Sequence, residues 1–158
     1  MYYLNWFTCA GIKAKEALRT GEEFITVPSS SALVVTTDQL LPKELAGVVD
    51  KAFWIKSRWF VRLALLLLTE RAKGDASPLI PWILRLPKDF DTPLHWSDDE
   101  MSRLSAYPHM AAAVAVQRAE WRQIYGELGV SSPGGAAAFP HSEDDLNWGM
   151  EIAYSRAF

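Results

Sequence analysis

One cysteine, Cys9, is all that the chain of 158 residues contains, so no disulfide can form within it, and a reducing compartment or indifference to redox is the expectation. Its three histidines, His95, His109 and His141, stand too far apart for any pair to have metal-ligand spacing. The most hydrophobic run, Leu63 to Leu68, is far shorter than the ~20 residues that a bilayer crossing requires. The start, "MYYLNWFTC", has neither the basic region and apolar core of a signal peptide nor the Arg and Ser of a transit segment. No GxSxG motif is present, and "SPGGAA" lacks the Lys and Ser or Thr of a phosphate-binding loop. A basic stripe is missing too: net charge is −3 and Lys and Arg are scattered, which argues against nucleic acid as a partner. Together these absences describe a soluble, intracellular chain with no membrane and no nucleic acid among its partners, and they leave its oligomeric state open.

What is present suits one domain. Hydrophobic residues make up 49% and charged residues 22% of the chain, far from a disordered composition. Seven Trp and seven Phe first suggest core and interface, because aromatic rings carry large buried areas. From Gly11 to Val35 the pattern predicts short strands: "GIKAKEA", a turn around Gly21, then "EFITVP" and "SALVVT", with Pro28 ending one run.

Beyond Thr36 the pattern turns helical. "KSRWFVRLALLLLTERAKG" sets Phe60, Leu63 and Leu67 at helical spacing, and Gly74 follows a last turn with Arg71 and Lys73. The basic residues of "KAFWIKSRWFVR" are expected on the solvated side of a helix. Four prolines between Pro78 and Pro93 allow only a brief helix there. "SDDE", Ser97 to Glu100, is a capping box, which accounts for its acids better than a metal does. "PHMAAAVAVQRAEWRQIYGELG" aligns Met110, Val114, Trp121, Ile124 and Leu128 on one face and is expected to stop at Gly129. After the loop "SSPGGAAAFP", a last helix begins at Ser142 with Glu143, Asp144 and Asp145 in its first turn. Composition and periodicity thus give a mostly helical α+β domain and no visible active site.

"GIKAKEALRTGEEFITVP", "LALLLLTERAKGDASPLIPWILRLPKDFDTPLHW" and "WGMEIAYSRAF" change this. In order and approximate spacing they resemble SET-domain protein methyltransferases, in the branch of the Rubisco large-subunit and actin-histidine methyltransferases. The resemblance implies an incomplete SET domain over 1–158: N-terminal SET strands over 1–36, a helical insertion over 37–142, and a helix over 143–158 leading into the rest of the fold. It implies S-adenosyl-L-methionine as cofactor and a protein substrate, with lysine the first choice of target and histidine the second. Gly11 matches the second glycine of the family's GxG turn, where a side chain would keep the backbone off the cofactor; Ala10 lies between, and Cys9 replaces the first glycine. Arg156 matches an arginine that contacts the cofactor and borders the substrate site, and Phe158 an aromatic residue lining the substrate channel. In relatives an Asn-His dipeptide, a catalytic tyrosine and a helical substrate-binding domain come later. The expectation is therefore the front part of a longer protein, inert by itself, whose parent could work in cytoplasm, nucleus or chloroplast. A degenerate SET-like module that binds a protein partner without catalysis is the alternative.

Overall fold

A computed structural model describes residues 14–28, 31–133 and 139–157. Helix α1, Lys51–Lys56, is capped by Asp50, whose carboxylate accepts from the amides of Ala52 and Phe53. Ser57 closes it, its hydroxyl donating back to Phe53 O at 2.7 Å. Helix α2, Trp59–Ala72, follows at once and carries the leucine run. It ends where the sequence places its end: Gly74 has φ +54°, the left-handed backbone that lets a chain leave a helix and that a Cβ disfavours.

The arginine that opens the leucine run is not solvated, which corrects the expectation for the basic stretch. Lys51, Lys56 and Arg58 do face solvent, but Arg62 is buried. Its Nε donates to Trp54 O at 2.9 Å and Nη2 to Ile55 O at 2.6 Å, while Nη1 reaches Thr36 O and Thr37 O at 3.1 and 3.3 Å. A charge taken from water needs such partners, and here two are carbonyls at the end of α1, where the helix dipole also favours a cation, and two belong to Thr36 and Thr37 before it.

Helix α3, Ile80–Ile83, is the brief helix that the prolines permit. Helix α4, Asp98–Ser102, starts at the capping box: Ser97 Oγ accepts from the Glu100 amide at 3.3 Å, and the Ser97 amide donates to Glu100 Oε2 at 2.8 Å. Helix α5, Pro108–Ser131, runs through Gly129 to Ser131, two residues past its expected stop, and Ser131 and Ser132 hydroxyls close it on the carbonyls of Glu127 and Leu128. Of its predicted face, Trp121 and Leu128 are buried and Val114 and Ile124 half-buried, whereas Met110 is exposed. Helix α6, Glu143–Arg156, opens on a second capping box, Ser142 with Asp145.

The pattern of contacts makes α2 and α6 an antiparallel pair. Arg71 at the end of α2 pairs with Asp145 at the start of α6, while Phe60 near the start of α2 packs on Tyr154 near the end of α6 at 4.7 Å between ring centroids. Gly149 makes the crossing close, since a Cβ built on it would stand 3.0 Å from Ala64 Cβ. The main core gathers Trp54, Phe60, Leu65, Leu68, Trp121, Leu128, Leu146 and Met150. A smaller cluster of Leu67, Ile83, Leu86 and Ile152 lies on the α3 side, and Trp148 packs against both.

Among the described residues no strand forms, so the expected α+β class, with its short N-terminal β strands of a SET fold, gives way there to helices alone; the first residues of "GIKAKEA" lie outside the described residues. The turn around Gly21 does form, with φ +83° and the Glu22 amide on Arg19 O at 3.0 Å. Phe24, Ile25 and Val27 are β-formers by type, yet Phe24 is 68% exposed and no ladder partner lies beside them among the described residues. Strand propensity expresses packing on a neighbouring strand and has little force without one.

Candidate functional site

Ala10, Gly11 and Phe158, with Cys9, lie outside the described residues. Arg156 lies within them, in the last turn of α6, and the site is built outward from it.

Residues 87–96, between α3 and α4, are held from helix by Pro87 and Pro93 and run along one flank of α6. Trp148 Nε1 donates to Pro87 O at 2.8 Å. One turn later Glu151 is 5% exposed, an acid set between Met150 and Ile152 in the most buried stretch of α6. Its two oxygens are both engaged by this segment: Thr92 Oγ1 donates to Oε1 at 2.7 Å, and His95 Nε2 stands 2.7 Å from Oε2. Such pairing is what a carboxylate requires when it is withdrawn from water. His95 itself has a half-exposed side chain, so the pair reaches the surface through its ring.

At the end of this flank the Arg156 guanidinium lies 5.9 Å above the centroid of the half-buried Phe90 ring. Its Nη1 donates to Ser155 Oγ, whose own hydroxyl donates to Glu151 O at 2.7 Å. Arg156 is exposed, and no ion pair involves it among the described residues, which leaves further donors of its planar fork facing outward. On another side of the same helix end, Tyr154 packs with Trp59, Phe60 and Trp121, centroids 4.7 to 6.1 Å away. Trp59 and Tyr154 keep about half their surface in solvent, 48% and 51%. The end of α6 thus offers a cationic fork resting on Phe90 on one side, able to hold an anionic group, and an aromatic surface on another.

The opposite end of α6 is polar and self-satisfied. Burial works against the charge of Asp145, but bonds from Arg71 and Ser142 outweigh it and hold the carboxyl below its usual range. Arg71 also lies 4.7 Å over the Trp148 ring. His141, half-buried, is pushed below the ordinary imidazole value chiefly by burial, with Arg71 adding to the effect and Asp145 opposing it. Beside it a depression of about 270 Å³ is lined by Leu45, Val48, Leu65 and Phe139, with Lys73 and His141 among its polar groups. No residue of α6 lines that depression, so it is separate from the Arg156 end.

Three similarities now bear on this geometry. Over 151 residues the chain is 26% identical to an actin-histidine N-methyltransferase from Danio rerio, covering 92% of this chain and 25% of that protein. Over 151 residues it is 25% identical to the chloroplastic ribulose-1,5-bisphosphate carboxylase/oxygenase large subunit N-methyltransferase of Nicotiana tabacum, covering 94% of this chain and 29% of that one. An actin-histidine N-methyltransferase from Gallus gallus is 31% identical over 94 residues, 60% of this chain. The chain spans about a quarter of the length of the first and second of these relatives. No family model and no solved structure matches it. These relatives are protein methyltransferases by name, one kind acting on a histidine of actin and the other on the large subunit of Rubisco.

The resemblance singled out Arg156, whereas Glu151 and its partners were passed over. An acid between Met150 and Ile152 was the available signal, since a buried run seldom admits an unpaired carboxylate. His95 stands 56 residues away, and nothing local to either residue joins them.

Proposed function

We propose that this chain forms the cofactor side of a SET-type protein methyltransferase, which moves a methyl group from S-adenosyl-L-methionine to a nitrogen of a protein side chain. The supporting observation is similarity across nearly the whole chain to two protein methyltransferases of different targets. In this reading residues 1–36 are the opening segment of the domain, 37–142 its helical insertion, and 143–158 the helix that leads toward the substrate site. When bound, the cofactor supplies a sulfonium methyl as electrophile. Arg156 fits its carboxylate end, because the guanidinium is exposed, lacks a carboxylate partner among the described residues, and rests on a ring. Ala10 and Gly11 would bring backbone against the cofactor, and Phe158 would wall the target's channel.

Lysine is the first target proposed. Its nitrogen must lose a proton before it attacks, at a cost of about 4.6 kcal/mol at pH 7 from a pKa near 10.4. Histidine is the second, favoured by the printed names of two relatives, and an imidazole is already largely neutral at pH 7. One charged contact from Arg156 contributes ~1.5 to 3 kcal/mol, short of the ~4 kcal/mol of millimolar affinity, so the chain alone holds the cofactor weakly and turns over nothing. Saturation-transfer NMR, which registers weakly held ligands, tests this. Transfer to S-adenosylmethionine is expected with the native chain and is lost in Arg156→Ala. No transfer to the native chain would overturn the cofactor reading and favour a non-catalytic module that binds a protein partner. Labelling of cell extract by the chain with tritiated cofactor would overturn its inertness.

A further inference from the structure

Four contacts fasten residues 87–96 to α6, at Trp148, twice at Glu151, and at Arg156. The two central ones end on one buried carboxylate, and each of its oxygens takes a different residue of the segment. Phe90 is two residues before Thr92, so the place of its ring follows from where Glu151 holds Thr92 and His95. The second group touching Arg156 is the Ser155 hydroxyl, and it is anchored on the backbone carbonyl of the same Glu151. Both supports of the guanidinium therefore trace to one residue.

We infer that Glu151 is a positioning residue for Arg156: through Thr92 and His95 it seats Phe90 beneath the guanidinium and fixes the direction in which the remaining donors face. Its functional meaning rests on the reading of Arg156 as a cofactor contact, while the positioning itself does not. A loose arginine could meet an anion from many directions; one laid on a ring meets it from few, and less side-chain freedom is lost when it binds.

NMR of the 15N,13C-labelled chain reads this directly. The Phe90 ring current shifts the Arg156 side-chain resonances upfield, and Phe90→Leu sets the zero of that shift. Glu151→Ala is expected to remove most of the shift, and Thr92→Val a part of it. Glu151→Gln, which keeps an acceptor for Thr92, restores a larger share than Ala does. Val49→Ala, in the main core and not in the cluster that Phe90 packs against, serves as a destabilised core control and leaves the shift in place. An unchanged shift in a folded Glu151→Ala chain, or an equal loss in the Val49→Ala control, overturns the inference. Should Glu151→Ala not fold, Thr92→Val decides, and an unchanged shift there overturns it equally. Cofactor transfer in Arg156→Ala judges the underlying reading separately, since that result leaves the ring shift of the native chain as it was.

Discussion

Gly149→Ala asks whether α2 and α6 cross as closely as the structure has them. A helix interior gains about 1 kcal/mol from this change if nothing else intervenes, because Gly is that much the poorer helix former. Here the new methyl would meet Ala64 Cβ at 3.0 Å, Ala64 Cα at 3.3 Å and Ala64 O at 3.4 Å. None of these atoms sits at the end of a flexible side chain, so the helices themselves must part by a few tenths of an ångström to restore ordinary contact. Overpacking of that kind costs about 1–3 kcal/mol. The balance is a net loss of about 1 kcal/mol. In an Ala64→Gly background the steric part largely disappears, and the same change should stabilise by up to about 1 kcal/mol, a coupling of about 1–2 kcal/mol. Urea denaturation of the four chains, followed by far-UV circular dichroism with the m-value checked, measures the cycle. A gain of about 1 kcal/mol for Gly149→Ala in the native background, with no coupling to Ala64, would refute the crossing and with it the placement of the Arg156 end.

Two further outcomes can be measured on the same chain. Arg62→Met keeps the apolar stem but strips donors from the carbonyls of Thr36, Thr37, Trp54 and Ile55, and a loss of about 2–4 kcal/mol is expected in urea denaturation; a loss below about 0.5 kcal/mol would show that those carbonyls find water instead. His141, whose value in the fold is depressed, binds its proton more readily unfolded, so its contribution is whole above pH ~6.5 and is lost as pH falls through the lower folded value. Glu70, held below its usual range by bonds from Lys73 and Ser77, acts with the same sign but at more acidic pH, so His141→Gln should flatten Tm against pH from about 7 downward, above the range in which carboxylates titrate. An unaltered slope there would refute the burial of the ring.

What the sequence revealed correctly was local. The Ser97 and Ser142 helix starts depend on residues three apart, the Gly74 exit on one backbone angle, and the leucine helix on a repeat within its own turns. A strand is different, because its stability lies in a neighbour that its own residues cannot specify, and so "EFITVP" misled. The end of α5 failed for a smaller reason: Ser131 and Ser132 supply hydroxyls that carry the helix past a glycine. Arg62 was expected in solvent and Glu151 drew no reading at all, because their partners lie up to 26 and 59 residues away. Arg156 was singled out by the resemblance and not by its local pattern, and it stands in the last turn of α6.

That placement alone would also suit a residue with no role beyond its charge. A cation in a last turn gains about 0.3–1 kcal/mol from the helix dipole wherever its long side chain wanders, and ordering that side chain costs up to about 2 kcal/mol. A dipole role therefore favours a loose arginine. Arg156 is instead laid across Phe90 and bonded to Ser155, in a corner that the buried Glu151 organises from two sides. The ring and the Ser155 hydroxyl offset that ordering themselves, by ~0.5–1 kcal/mol for a cation over a ring and ~0.5–1.5 kcal/mol for a hydrogen bond. The contrast can be observed without any substrate: an arginine held by the dipole alone shows averaged side-chain resonances, and one seated on Phe90 shows the upfield, slowly averaging signals of a guanidinium held on a ring.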